Sequence, residues 1–124
     1  MSLEMYQQNI LDHYKHPRNF GTIEGASHHA RAVNPLCGDE LDFWLVIDAN
    51  KKITDIKFTG RGCTISIAAA SMLSEKIKGT TKDTIAGITN TEAVGLLGVP
   101  VNPARLKCAT LSLEAVQQAL GLHS

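Results

Sequence analysis

Ile53-Thr54-Asp55-Ile56-Lys57-Phe58-Thr59-Gly60-Arg61-Gly62-Cys63-Thr64-Ile65-Ser66-Ile67-Ala68-Ala69-Ala70-Ser71-Met72-Leu73-Ser74-Glu75-Lys76-Ile77 changes its hydrophobic period half-way. Up to Phe58 apolar and polar residues come close to alternating, the pattern of a half-buried strand. After Gly60-Arg61-Gly62 the apolar residues Ile65, Ile67, Ala68, Met72, Leu73 and Ile77 follow helical spacing, and Gly79 supplies a stop. Upstream, residues 30–33 and 41–47 are β-rich, and Asp48-Ala49-Asn50-Lys51 has the chemistry of a hairpin turn. Downstream, residues 80–88 and 91–97 read as short helices, the first capped by Thr81 or Asp83 and the second by Asn90 or Thr91. Pro100 and Pro103 bracket a stiff linker. A last helix is expected over residues 109–120, with Ser112, Glu114 and Gln117 outward and Leu113, Val116, Ala119 and Leu120 inward. At the other end, Met5, Ile10, Leu11 and Tyr14 mark an amphipathic helix over residues 4–16 that Pro17 ends, and residues 19–29 read as a connector. Strands first and helices after predict an α+β domain, a three-stranded antiparallel sheet with helices packed on one face.

The 124 residues, 44% apolar and 19% charged, suit one domain spanning 1–124. Twelve basic and twelve acidic side chains balance, so neither nucleic acid nor an anionic membrane is expected as a partner. Met1-Ser2-Leu3-Glu4 has no basic and apolar leader pattern, and no apolar run approaches a membrane span. The expected location is the cytoplasm. There, three widely spaced cysteines point to metal or redox chemistry and not to a disulfide frame.

Those cysteines stand in Pro35-Leu36-Cys37-Gly38-Asp39, Gly60-Arg61-Gly62-Cys63-Thr64 and Arg105-Leu106-Lys107-Cys108-Ala109. Free cysteine also serves as a small buried filler. Here all three fall outside the middle of the expected elements, two of them beside glycine. Cys63 and Cys108 each read as lying just before a helix, where free N–H groups and the dipole favour an anion and would pull a thiol from roughly 8.5 toward neutrality. Three thiolates and the Asp39 carboxylate make a ligand set for a thiophilic metal, or an anchor for an iron–sulfur cluster with one labile corner. Without a Cys-x-x-Cys pair, a classical structural zinc site is less attractive. A cysteine hydrolase is poorer still, because no histidine or oxyanion motif accompanies any cysteine.

Nearly the whole chain resembles the U-type iron–sulfur cluster assembly family: IscU, SufU and the N-terminal domain of NifU. The resemblance rests on Asp12-His13-Tyr14-Lys15-His16-Pro17-Arg18-Asn19, on Asn34-Pro35-Leu36-Cys37-Gly38-Asp39, on Gly60-Arg61-Gly62-Cys63-Thr64-Ile65-Ser66, and on Arg105-Leu106-Lys107-Cys108-Ala109-Thr110-Leu111. It implies the SufE/NifU-like α+β fold. It also implies that Cys37, Cys63 and Cys108 are the persulfide acceptors and, with Asp39, the ligands of a transient [2Fe–2S] cluster or of zinc. The partners implied are a cysteine desulfurase, an iron or electron donor and apo iron–sulfur recipient proteins. Such a chain is a scaffold or carrier rather than a catalyst; as an enzyme it would be a sulfurtransferase.

Two features depart from the IscU pattern. Lys107 stands where IscU proteins have histidine, as in SufU, and its ammonium is either a neighbour of the thiolate and cluster or a solvated charge. Val99-Pro100-Val101-Asn102-Pro103 replaces the Leu-Pro-Pro-Val-Lys segment by which IscU engages a dedicated Hsp70 chaperone, which counts against that partner. The insertion of about twenty residues that SufU proteins carry before the third cysteine is absent. The expected function is a cluster scaffold; the alternative is a zinc-dependent sulfur acceptor, and a third class is an adaptor in which zinc only holds the helices on the sheet. His13 and His16 in the first helix, His28 and His29 in the connector and His123 in the tail read as surface or packing residues. Trp44 reads as sheet core or surface, and Arg61 as an exposed cation.

Overall fold

The computed structural model describes residues 3–122. The expectation for His123, like Met1 and Ser2 of the leader argument, lies outside them. Along the chain come α1 (Leu3–Lys15), β1 (His28–Asn34), β2 (Asp39–Ile47), β3 (Ile53–Arg61), α2 (Thr64–Ile77), α3 (Lys82–Ala86), α4 (Asn90–Gly95), a 3-10 turn (Pro103–Arg105) and α5 (Leu106–Ala119). The strands form an antiparallel sheet in the order β1-β2-β3. The α+β reading therefore holds.

Alternation along β2 buries Asp39, Leu41, Phe43 and Leu45 on one face and turns Glu40, Asp42 and Trp44 to the other. In β3 the buried residues Ile53 and Ile56 are out of strict alternation. The register explains this: Val46 pairs with Asp55 but Ile47 with Ile53, leaving Thr54 as the extra residue of a bulge. The β2–β3 turn is held by Asp48, whose Oδ1 accepts from Asn50 N at 2.8 Å and Lys52 N at 3.0 Å, with Lys51 in the left-handed region at φ 62°.

The core lies between the sheet and α5 with α2: Leu41, Phe43, Leu45, Ile53, Ile56 and Phe58 meet Leu73, Ile77, Leu111, Leu113 and Val116. Helix α2 is buried on most sides, and its run of Ala68, Ala69, Ala70 and Ser71 lets neighbours approach closely. Its outer side carries α1, through Ile10 against Ala68, Ala69 and Met72. Polar ties complete that junction: His13 Nδ1 lies 2.7 Å from Ser71 Oγ, which also accepts from Arg18 N at 2.8 Å. The chain after α1 does not run free, since Phe58 N donates to Asn19 O and Gly21 N to Phe58 O, which covers the edge of β3.

Several expected boundaries move. His28 and His29 belong to β1, not to the connector. The cap of α4 is Thr89, whose hydroxyl accepts from Glu92 N at 3.1 Å, instead of Asn90 or Thr91; the cap of α3 is Thr81, as expected. Helix α5 begins at Leu106 and not at Ala109, because the 3-10 turn opened by Pro103 and capped by Asn102 feeds directly into it. Ser112 is buried, not outward: α5 packs against both the sheet and α2, so its buried face is wider than one apolar stripe. Among the described residues, no helix is long and apolar enough to cross a membrane.

Candidate functional site

The β1–β2 turn, the start of α2 and the first turn of α5 meet at one end of the sheet. Gly38, at φ 77°, closes the turn, with its N–H donating to Asn34 O at 2.8 Å. Asn34 is buried; its Oδ1 accepts from Leu36 N at 3.2 Å and its Nδ2 faces Cys108 Sγ at 3.9 Å. This turn carries Cys37 to the surface and points Asp39 inward. Cys63 is the N-cap of α2, and Cys108 is the third residue of α5. All three cysteines are unpaired thiols: Cys37 exposed, Cys63 half-buried, Cys108 buried.

Asp39 is the centre of the arrangement. Its Oδ1 accepts from Cys63 N at 2.9 Å, and its Oδ2 accepts from Ser66 Oγ at 2.5 Å and from Cys37 Sγ at 3.0 Å, with Cys63 Sγ at 3.7 Å. Gly62 makes room, because a Cβ there would stand 2.4 Å from Oδ1. Cys37 Sγ and Cys108 Sγ are 3.7 Å apart. Ligand atoms of Cys37, Asp39 and Cys108 all lie within 4.8 Å of one another, and Cys63 stands beside them across the carboxylate.

These spacings suit a metal. Two thiolates on a tetrahedral ion with bonds of about 2.3 Å are separated by about 3.8 Å, and a thiolate and a carboxylate oxygen by about 3.5 Å. The Cys37–Cys108 distance is already that edge. Cys37 Sγ and Asp39 Oδ2 would part by about half an ångström, the change expected when a thiol hydrogen bond gives way to two metal bonds. An open cavity of about 420 Å³ lined by Cys37, Asp39, Gly62, Cys63, Ala104, Arg105 and Cys108 leads to solvent.

The protonation pattern corrects one expectation. Burial opposes ionisation of Asp39, but hydrogen bonds from Ser66, Cys37, Cys108 and Cys63 N–H outweigh it and hold the carboxyl below its ordinary value. Burial likewise opposes the Cys63 thiolate, yet the Ser66 hydroxyl and backbone N–H draw its pKa down, as a helix start should. Cys108 goes the other way. Burial, then Asp39 and the other two thiols, push it up to about 12. It lies inside the helix on the floor of the cavity and not before the helix at its mouth, so lost hydration outweighs the dipole.

Lys107 is not at this site. Its Nζ pairs with Glu114, and it lines a separate groove with Asn90, Thr91, Val94, Leu106 and Thr110. The basic residue that lines the cysteine cavity is Arg105, three residues before Cys108. His28 and His29 are also elsewhere, paired with Leu45 and Trp44 at the far end of β1 from the Asn34–Asp39 pair. His29 stacks on Trp44 at 4.8 Å, which puts Trp44 on the outer sheet face. Arg61 is 83% exposed and pairs with Glu40. Sequence reasoning passed over Asn34, Ser66 and Arg105. Each had a local signal: an Asn-Pro turn start, a serine three residues into the helix after Cys63, and an arginine one turn before Cys108.

Residues 5–123 match the model of the NifU-like N terminal domain. The chain belongs to that family. Among relatives of the NifU-like domain, the zinc-dependent sulfurtransferase SufU of Bacillus subtilis is 35% identical over 133 aligned positions, covering 94% of this chain and 89% of its own. The iron–sulfur cluster assembly scaffold protein IscU 1 of Archaeoglobus fulgidus is 36% identical over 119 positions, covering 94% and 74%. A crystal structure of FiSufU from Fervidobacterium islandicum AW-1 superposes with a TM-score of 0.76 at 29% identity, over 96% of this chain and 99% of that one. The N-terminal NifU-like protein of Brucella abortus, 17% identical with a TM-score of 0.76, covers 96% of this chain and 94% of its own and shares the fold. The 133 positions aligned with the Bacillus protein exceed the length of this chain, so that relative carries residues with no counterpart here, whereas the IscU alignment needs almost none.

Proposed function

We propose that residues 1–124 are one cytoplasmic domain that acts as an iron–sulfur cluster assembly scaffold, taking sulfur from a cysteine desulfurase and building and passing on a [2Fe–2S] cluster. The observation that carries this reading is the convergence of three unpaired thiols and one ionised carboxylate on an open rim, one thiol at the surface and one on the floor. Cys37, Cys63 and Cys108 are the persulfide acceptors and, with Asp39, the cluster ligands. Exposure favours Cys37, and its lowered pKa favours Cys63, over Cys108 for the sulfur step. There a thiolate attacks the outer sulfur of the desulfurase persulfide; a new S–S bond forms on this chain and the donor cysteine leaves as thiolate. An electron donor must then supply two electrons for each sulfur released as sulfide, and iron arrives from a donor. A cluster at an open rim is accessible to an apo recipient protein.

A second reading has its own support. The 3.7 Å Cys37–Cys108 edge suits one tetrahedral ion, and the Bacillus relative is a zinc-dependent sulfurtransferase. In that case zinc sits on the cysteines and Asp39, and a released cysteine accepts the persulfide. Anaerobic reconstitution with iron, cysteine and a cysteine desulfurase separates the two. Equal iron and labile sulfide with visible charge-transfer bands, lost in Cys37→Ala, is the expected result. Zinc that iron does not displace, with faster desulfurase turnover and no bands, would overturn the scaffold reading in favour of the sulfur acceptor.

A further inference from the structure

Ser66 is fully buried at the third position of α2, yet no element of the fold needs a hydroxyl there: the N-cap of the helix is Cys63, and the N–H of Cys63 is taken by Asp39. Its Oγ lies 2.5 Å from Asp39 Oδ2 and 3.5 Å from Cys63 Sγ. A serine hydroxyl has one hydrogen to donate, and the shorter contact gives it to Oδ2 whenever Cys63 is a neutral thiol or a metal ligand. In the metal-free chain Oδ2 also receives the Cys37 thiol hydrogen, and it is the oxygen that faces both Cys37 and Cys63. Once the three cysteines are metal-bound thiolates, none of them has a hydrogen left to give. Ser66 is then the remaining donor among those that bond Oδ2, while Oδ1 stays on Cys63 N.

We infer that Ser66 is a positioning residue of this site, whose hydroxyl holds Asp39 Oδ2 in the ligand ring and so sets how readily the carboxylate lets go of the metal. The inference rests on the site being a metal site, as proposed above. A carboxylate fixed at both oxygens stays in place while a cysteine exchanges; one fixed only at Oδ1 pivots about that bond and opens the ring at Asp39 instead. Ser66 thereby decides which ligand is the first to leave. Partners one bond beyond the ligands commonly change metal affinity by about 10- to 100-fold, and an effect of that size is expected here.

The test uses cobalt(II) and zinc with the full-length chain, comparing wild type, Ser66→Ala, Ser66→Thr and Asp39→Ala. Expected for Ser66→Ala is retained sulfur-to-cobalt charge transfer, ligand-field bands moved to those of Asp39→Ala, and zinc loss to a chelator faster by about tenfold or more. Ser66→Thr, which keeps the hydroxyl, should restore bands and rate. Ligand-field bands and exchange in Ser66→Ala equal to wild type would overturn the inference while leaving the metal site standing. Loss of charge transfer in both Ser66 variants, with wild type intact, would overturn it in favour of a purely structural serine. A wild-type chain with no sulfur-to-cobalt charge transfer would overturn the metal site and this inference together.

Discussion

Replacing Gly62 by alanine tests how tightly Asp39 is held. The new methyl would sit 2.4 Å from Oδ1, 2.8 Å from Cγ and 3.0 Å from Cβ of Asp39, so one of the two must move by close to an ångström. Gly62 is not among the positive-φ glycines, so the backbone itself adds no strain. A free carboxylate would swing aside at little cost. This one is 2% exposed and bonded at both oxygens, so moving it breaks the Cys63 N–H bond to Oδ1. Hydrogen bonds to a charged group contribute about 1.5–3 kcal/mol, which is the expected destabilisation of the metal-free chain. For a chain of this size that lowers the melting temperature by roughly 6–12 °C. The assay is urea unfolding followed by circular dichroism, in wild type, Gly62→Ala, Asp39→Ala and the double variant. If the clash with Asp39 is the cause, the alanine costs much less once Asp39 is gone, and the cycle shows a coupling of about 1 kcal/mol or more. Additive effects, or a Gly62→Ala protein as stable as wild type, would refute the reasoning.

Alkylation should rank the thiols of the metal-free protein. With its pKa near 12, Cys108 is thiolate in only about one molecule in ten thousand at pH 8, so peptide mapping after brief iodoacetamide treatment should find Cys63 and the exposed Cys37 modified and Cys108 intact; prompt labelling of Cys108 would contradict its burial. Acid stability should report on the α1–α2 junction. Burial, then the Arg18 charge, lower the pKa of His13 from 6.5 against the opposing pull of Glu75 and Asp12. The unfolded chain therefore binds this proton first, and the contribution is complete above pH 6.5 and declines as pH falls from there through the lowered folded value. His13→Gln should flatten that slope in urea midpoints measured across the window, and an unchanged slope would remove His13 from the account.

Much of the fold was legible along the chain because it rests on local periodicity and capping. The shift from alternation to helical spacing across Gly60-Arg61-Gly62, the Asp48 turn and the Thr81 cap each involve residues within a few positions of one another. The three cysteine motifs were equally legible, as was Asp39, two residues from Cys37. Tertiary packing decided the rest. Whether Cys108 is poised or suppressed depends on burial against a carboxylate that is distant in sequence. Ser66 matters only because β2 delivers Asp39 to it, and Asn34 because its turn lies over α5. Lys107, beside Cys108 in sequence, is turned by about 100° on the helix and pairs with Glu114, while Arg105, a turn earlier, shares the cavity. Sequence determined which chemical groups the protein has and which strands and helices carry them. Solvation and hydrogen bonding across the fold decided which groups meet and in what protonation state, because both depend on neighbours that only packing supplies.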